Sequence, residues 1–150
     1  MSEESKLSVL ELINKCAADE EHKDKVTVLP LMCGTGKSTA ITYKIRECIE
    51  SNTGILIVTD RTGRLKKYLE PDPRFDIDLY DYFNRDETKK KISMLVSGEN
   101  LQKELGRMSS CPVLLMTTQR YFSLERDELI EKYLTWDNGR RQLVIINRII

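Results

Sequence analysis

Apolar positions along the chain change spacing several times, and each change predicts an element. From Ser5 to about Glu21, Leu7, Leu10, Ile13, Asn14 and Ala17 recur at helical spacing. Val26-Thr27-Val28-Leu29-Pro30-Leu31 is a short apolar and β-branched run, which predicts a strand, and the loop Met32-Cys33-Gly34-Thr35-Gly36 follows it. From Lys37 to about Glu50, Ile41, Ile45, Cys48 and Ile49 return to helical spacing. Gly54-Ile55-Leu56-Ile57-Val58-Thr59 is continuously apolar, as a strand covered on both faces should be. A short helix should hold Leu65, Tyr68 and Leu69 and end at Pro71-Asp72-Pro73.

Farther on, Phe75, Ile77 and Leu79 alternate loosely, which predicts a short strand between Phe75 and Phe83. Glu87 to Arg107 is helix-prone, with Gly98 as a break. Pro112-Val113-Leu114-Leu115-Met116-Thr117 predicts a buried strand, and Tyr121 to about Leu134 a helix. Asp137-Asn138-Gly139 predicts a turn, and Gln142-Leu143-Val144-Ile145-Ile146 a last apolar strand. Strands alternating with helices imply an α/β fold with a parallel sheet and helices on both faces. Residues 1–25 are then an N-terminal helical extension and 26–150 the α/β domain. Ligands of such sheets bind outside the carboxyl ends of the strands.

Composition narrows the chemistry. The 150 residues carry 24 Lys+Arg and 24 Asp+Glu, so no net charge pulls the chain toward nucleic acid or an acidic membrane. No run approaches the roughly 20 apolar residues that span a bilayer, and the acidic start lacks the core of a secretory signal, so a cytoplasmic location is expected. Cys16, Cys33, Cys48 and Cys111 form no Cys-x-x-Cys pair, and reduced thiols are the simpler reading than a zinc site. His22, the sole histidine, lies among charges, which argues against Ser-His-Asp chemistry.

The distinctive segment is Gly34-Thr35-Gly36-Lys37-Ser38-Thr39, between a predicted strand and a predicted helix. Small residues at 34 and 36 let successive backbone N–H groups turn inward around a phosphate. The helix beginning near Lys37 adds free N–H groups and the positive end of its dipole. The Lys37 ammonium can reach the β- and γ-phosphates of ATP, and the Ser38 hydroxyl can ligate Mg²⁺. Thr35 and Thr39 complete the loop, with Thr39 placed either to support it or to touch the α-phosphate side. The full pattern G-x-x-x-x-G-K-[ST] is not met, because Leu31 stands at its first glycine.

With that departure the loop resembles the first motif of superfamily 2 helicases (the DEAD/DEAH-like and type III restriction-enzyme-like ATPases), where A-x-x-G-x-G-K-[ST] is common. Leu31 replaces the alanine here. Ile55 to Leu65, including Thr59-Asp60-Arg61-Thr62-Gly63-Arg64, is similar to motif Ia of that family. Val113 to Phe122, including Thr117-Thr118-Gln119-Arg120, is similar to motif Ic. The resemblance covers about residues 26 to 146 and implies a three-layer P-loop NTPase (RecA-like) fold. It further implies ATP and Mg²⁺ as cofactors, Lys37 as the catalytic residue, and nucleic-acid backbone contacts from Arg61, Arg64, Thr117, Thr118 and Gln119.

The family's next strand ends in Asp-Glu. Here the apolar strand at 142–146 is followed by Asn147-Arg148. Asparagine brings no anionic charge to Mg²⁺, and an arginine does not act as a base at neutral pH. The resemblance therefore implies an ATP-binding N-terminal part of a helicase-like ATPase, incomplete at this strand, with weak or no turnover. A frameshift or stop there would explain the tail, and a second RecA-like domain would be missing.

Other readings remain open on the residues alone. A small P-loop kinase uses a similar loop, though no cluster of arginines marks a lid, and a non-catalytic nucleotide-binding module needs only the loop. Arg61, Arg64, Lys66 and Lys67 also suit a solvated helix start, and Thr117 or Thr118 a helix cap. Lys89-Lys90-Lys91 reads as a solvated face. Tyr80, Tyr82 and Phe83 read as packing residues that could instead stack on a base. Trp136 reads as packing near the last strand.

Overall fold

The computed structural model describes residues 37–95, 101–123 and 126–147. The predicted helix at 5–21, the strand at 26–31 and loop residues Gly34, Thr35 and Gly36 lie outside them, as does Gly98.

Helix α1, Lys37–Ser51, ends where Asn52 takes a left-handed φ of 57°. The Asn52 N–H donates to Ile49 O at 3.3 Å and the Thr53 N–H to Cys48 O at 2.8 Å, closing the orphan carbonyls of the last turn. Three residues later the chain enters strand β1, Ile55–Thr59, all of it buried. Helix α2, Thr62–Tyr68, follows β1.

The expected strand within Phe75–Phe83 is instead helix α3, Ile77–Phe83. Asp76 decides this: its carboxylate accepts the Leu79 N–H at 3.0 Å and caps the helix. The buried residues are Leu79, Tyr82 and Phe83, at i, i+3 and i+4, while Phe75 and Ile77 are exposed. Tyr82 and Phe83 pack edge to face, with centroids 5.4 Å apart, so neither ring is presented for stacking on a base. Tyr80 is partly exposed.

The long helix expected over Glu87–Arg107 is also corrected. Helix α4, Asp86–Lys89, gives way to strand β2, Ile92–Leu95, and helix α5 resumes at Leu101–Arg107. Ile92, Ser93 and Leu95 are buried in β2, and the Ser93 hydroxyl bonds Glu104 of α5 at 2.9 Å. Strand β3, Val113–Thr117, is the predicted one. The predicted helix from Tyr121 divides into α6, Thr118–Tyr121, and α7, Arg126–Leu134. The predicted turn joins β4, Thr135–Trp136, to β5, Gly139–Arg140, with Gly139 at a φ of 109°. Strand β6, Leu143–Asn147, comes last.

The main sheet has four parallel strands in the order β2-β3-β1-β6. Alternate residues of β1 feed two cores. Ile55 and Ile57 pack with Ile41, Ile45 and Cys48 of α1, Leu65 and Tyr68 of α2, and Leu79 of α3. Leu56 and Val58 pack with Met108, Tyr121 of α6 and Tyr133 of α7. Helices thus cover both faces, and each fully buried Leu or Ile contributes about 1.5–3 kcal/mol. Among the described residues, no helix is long and apolar enough to cross a membrane.

At the amino end of β1 the packing is close. A Cβ on Gly54 would lie 2.5 Å from Trp136 Nε1, so only glycine fits there. Arg141, 4% exposed, sits beside it and donates to four carbonyls: Nε to Tyr133 O, Nη1 to Cys111 O and Pro112 O, and Nη2 to Met108 O, at 2.7–2.9 Å. Burial pulls the guanidinium's pKa down to about 10, so it stays protonated at neutral pH.

Candidate functional site

Three strands finish level with one another. Thr59 at the end of β1 is in register with Thr117 of β3 on one side and Asn147 of β6 on the other. Neighbouring strands lie about 4.8 Å apart, so the three residues form a short row along the carboxyl edge of the sheet. The segments that follow β1 and β3 depart from that edge.

Helix α1 reaches the same edge from the other direction. Its carboxyl end connects through three residues to the amino end of β1. Its 15 residues span about 22 Å, longer than the five-residue strand. The amino end, Lys37 and Ser38, therefore stands on the carboxyl side of the sheet. Ala40, Ile41 and Ile45 fix the helix on the core, and the Thr42 hydroxyl ties it to Tyr68 O of α2 at 2.8 Å. Thr39 is half-buried in the first turn.

Of the nucleic-acid residues implied by the resemblance, the fold brings all five to this edge. Arg61 and Arg64 follow β1; Thr117, Thr118 and Gln119 close β3 and open α6. Thr117 also acts as the cap: its hydroxyl accepts the Arg120 N–H at 3.4 Å. Gln119 and Arg61 are exposed, Thr117, Thr118 and Arg64 half-buried. Thr59, the central residue of the row, is fully buried, and its hydroxyl donates to Asp60 Oδ1 at 3.4 Å.

Two residues at the edge are additions to that set. Asp60 pairs with Arg64, Oδ1 to Nε at 3.5 Å. Arg120 carries a buried Nε with no hydrogen-bond partner among the described residues. The sequence signal for both is adjacency: Asp60 precedes Arg61 and Arg120 follows Gln119, each just after the end of a strand. Arg120 adds a cation whose donor is unsatisfied, a costly arrangement that an anionic oxygen would relieve.

Chemically the edge offers helix-end N–H groups, hydroxyls, one amide and several guanidinium groups, a set that suits phosphate oxygens. It also offers one carboxylate, Asp60, and, at the end of β6, an uncharged asparagine. A second opening, bounded by Met108, Lys132 and Trp136, lies beside the β4–β5 hairpin; Trp136 packs on Gly54, at the amino end of β1. No family model, curated protein or solved structure matches the chain.

Proposed function

We propose that this chain binds MgATP at the amino end of α1 and nucleic-acid backbone along the adjoining carboxyl edge, as a helicase-like ATPase domain of low turnover. The observation that carries the reading is the level finish of Thr59, Thr117 and Asn147 beside the start of α1. A phosphate loop opens that helix in sequence, and the two motif-like segments end the two central strands. The P-loop NTPase fold assignment belongs to this proposal, as do its cofactors and the cytoplasmic location.

In this reading, Gly34, Thr35 and Gly36 supply backbone donors, Lys37 neutralises the β- and γ-phosphates, and Ser38 and Thr39 complete the site. The bound metal would stabilise developing charge on the phosphates. Arg61, Arg64, Arg120, Thr117, Thr118 and Gln119 hold phosphodiester oxygens. They read no bases, so binding is weak, insensitive to sequence and strongly salt-dependent, with Kd no tighter than about 10⁻⁴–10⁻⁶ M.

Titration of labelled oligonucleotides of several sequences at two salt concentrations tests the nucleic-acid part. The reading expects similar affinities for all sequences and a shallower salt dependence in Arg61→Ala with Arg64→Ala. Tight, sequence-selective binding that the double substitution leaves unchanged would exclude this edge. Following labelled ATP separates the enzymatic alternatives: transfer to a small acceptor would replace the helicase-like reading with a kinase.

A further inference from the structure

The two arginines after β1 are not equivalent. Arg61 is exposed and has no side-chain partner among the described residues, whereas Arg64 lies one helical turn beyond Asp60 and pairs with it. The pair is 28% and 29% exposed, open enough for a ligand to reach. Asp60 Oδ1 also accepts the Thr59 hydroxyl, which anchors the carboxylate at the end of the strand rather than leaving it to swing with solvent.

A carboxylate fixed there faces the same guanidinium that a phosphate would use. We propose that Asp60 holds Arg64 in competition with nucleic-acid phosphate, so that backbone binding must break the Asp60–Arg64 pair and Asp60 sets the affinity and salt response of the edge. The proposal rests on the reading of this edge as a nucleic-acid surface. The competing oxygens are alike in charge and geometry, and a guanidinium exchanges one for the other without moving far. A pair this exposed is weak, so Asp60 tunes binding and does not prevent it.

The test is a double-mutant cycle of Asp60→Asn and Arg64→Ala, with a short mixed-sequence single-stranded DNA titrated across a range of salt. Asparagine keeps an acceptor for Thr59. In the wild-type background Asp60→Asn should tighten binding about 1.4- to 5-fold, the range of an exposed pair. It should also steepen the fall of affinity with salt, because the competing pair, strongest at low salt and screened at high salt, is gone. In the Arg64→Ala background it should do neither. Asp60→Ser gives the same comparison if the asparagine variant folds poorly, as judged by its unfolding midpoint.

Equal tightening in both backgrounds would show bulk charge and not the pair, and would overturn the proposal. If Arg64→Ala weakens binding while Asp60→Asn changes nothing, the competition is wrong and the nucleic-acid reading stands. If wild type and Asp60→Asn both fail to bind, the nucleic-acid reading and the competition fall together.

Discussion

Thr59 and Asn147 are direct neighbours across the parallel pair of β1 and β6, each the last residue of its strand. The helicase-like reading expects an aspartate at the end of this neighbouring strand, followed by a glutamate, to hold Mg²⁺ and polarise water. Asn147 brings no charge at the first of these positions, and in the sequence Arg148 stands at the second. ATP hydrolysis should therefore be slow, far below the roughly 10 s⁻¹ typical of enzymes. Asn147→Asp with Arg148→Glu should raise it only slightly. Phosphate release by the wild type near the typical rate would show that the missing carboxylates are not limiting.

Arg141 should be the side chain whose loss most weakens the fold. Its guanidinium satisfies four carbonyls that no water reaches easily. Arg141→Met fills much of the volume but removes the guanidinium donors; Pro112 O keeps the Ile55 N–H and Met108 O the Cys111 N–H, so the cost should be about 1–3 kcal/mol. Arg141→Lys should recover only part, because an ammonium lacks the planar fork. Urea unfolding would measure both; a loss under about 1 kcal/mol for the methionine variant would mean the carbonyls find other donors.

Asp76 should give the fold a dependence on acid pH. The Leu79 N–H first, and the Tyr43 hydroxyl at 2.8 Å second, hold its carboxyl below the ordinary 3.8. A pKa lowered by folding stabilises the protein fully above the unfolded value, and the contribution fades as pH falls below about 3.8 through the folded value. Asp76→Ala should cost about 0.5–2 kcal/mol near neutrality, as for other helix caps. The gap between wild type and variant, followed by unfolding across pH, should close in acid. A gap that widened there would reverse the sign of this account.

How much was legible in the sequence depended on how each element is buried. Ile55–Thr59 and Val113–Thr117 announce themselves because continuous apolar runs are what two covered faces require, whereas Leu143–Asn147, at the edge of the sheet, is as apolar although Val144 and Ile146 stay exposed. Helix α3 was misread because Phe75, Ile77 and Leu79 alternate, yet the first two are solvent-exposed and carry no packing information. The Asp76 cap and the Leu79, Tyr82, Phe83 spacing held the better signal. Strand β2 is hidden by the lysines before it and by Ser93, a buried polar residue whose hydroxyl bonds Glu104.

Arg141 had no signal at all. It stands in the polar run Gly139-Arg140-Arg141-Gln142, and only the tertiary structure separates it from the exposed Arg140. At the edge, the five residues expected from the resemblance were legible as loops following apolar strands. The Asp60–Arg64 pair has only its i, i+4 spacing as a sequence signal, which any solvated helix face shares.

The proposed site for the phosphates of ATP at the amino end of α1 carries the rest of the functional reading. Isothermal calorimetry of MgATP with the wild type and with Lys37→Ala, confirmed as folded by its unfolding midpoint, tests it most directly. Removing the ammonium deletes a charge-assisted contact of about 1.5–3 kcal/mol, so affinity should fall roughly 10- to 100-fold. Equal affinity in the two proteins, or no heat of binding in the wild type, would contradict a phosphate site at this helix.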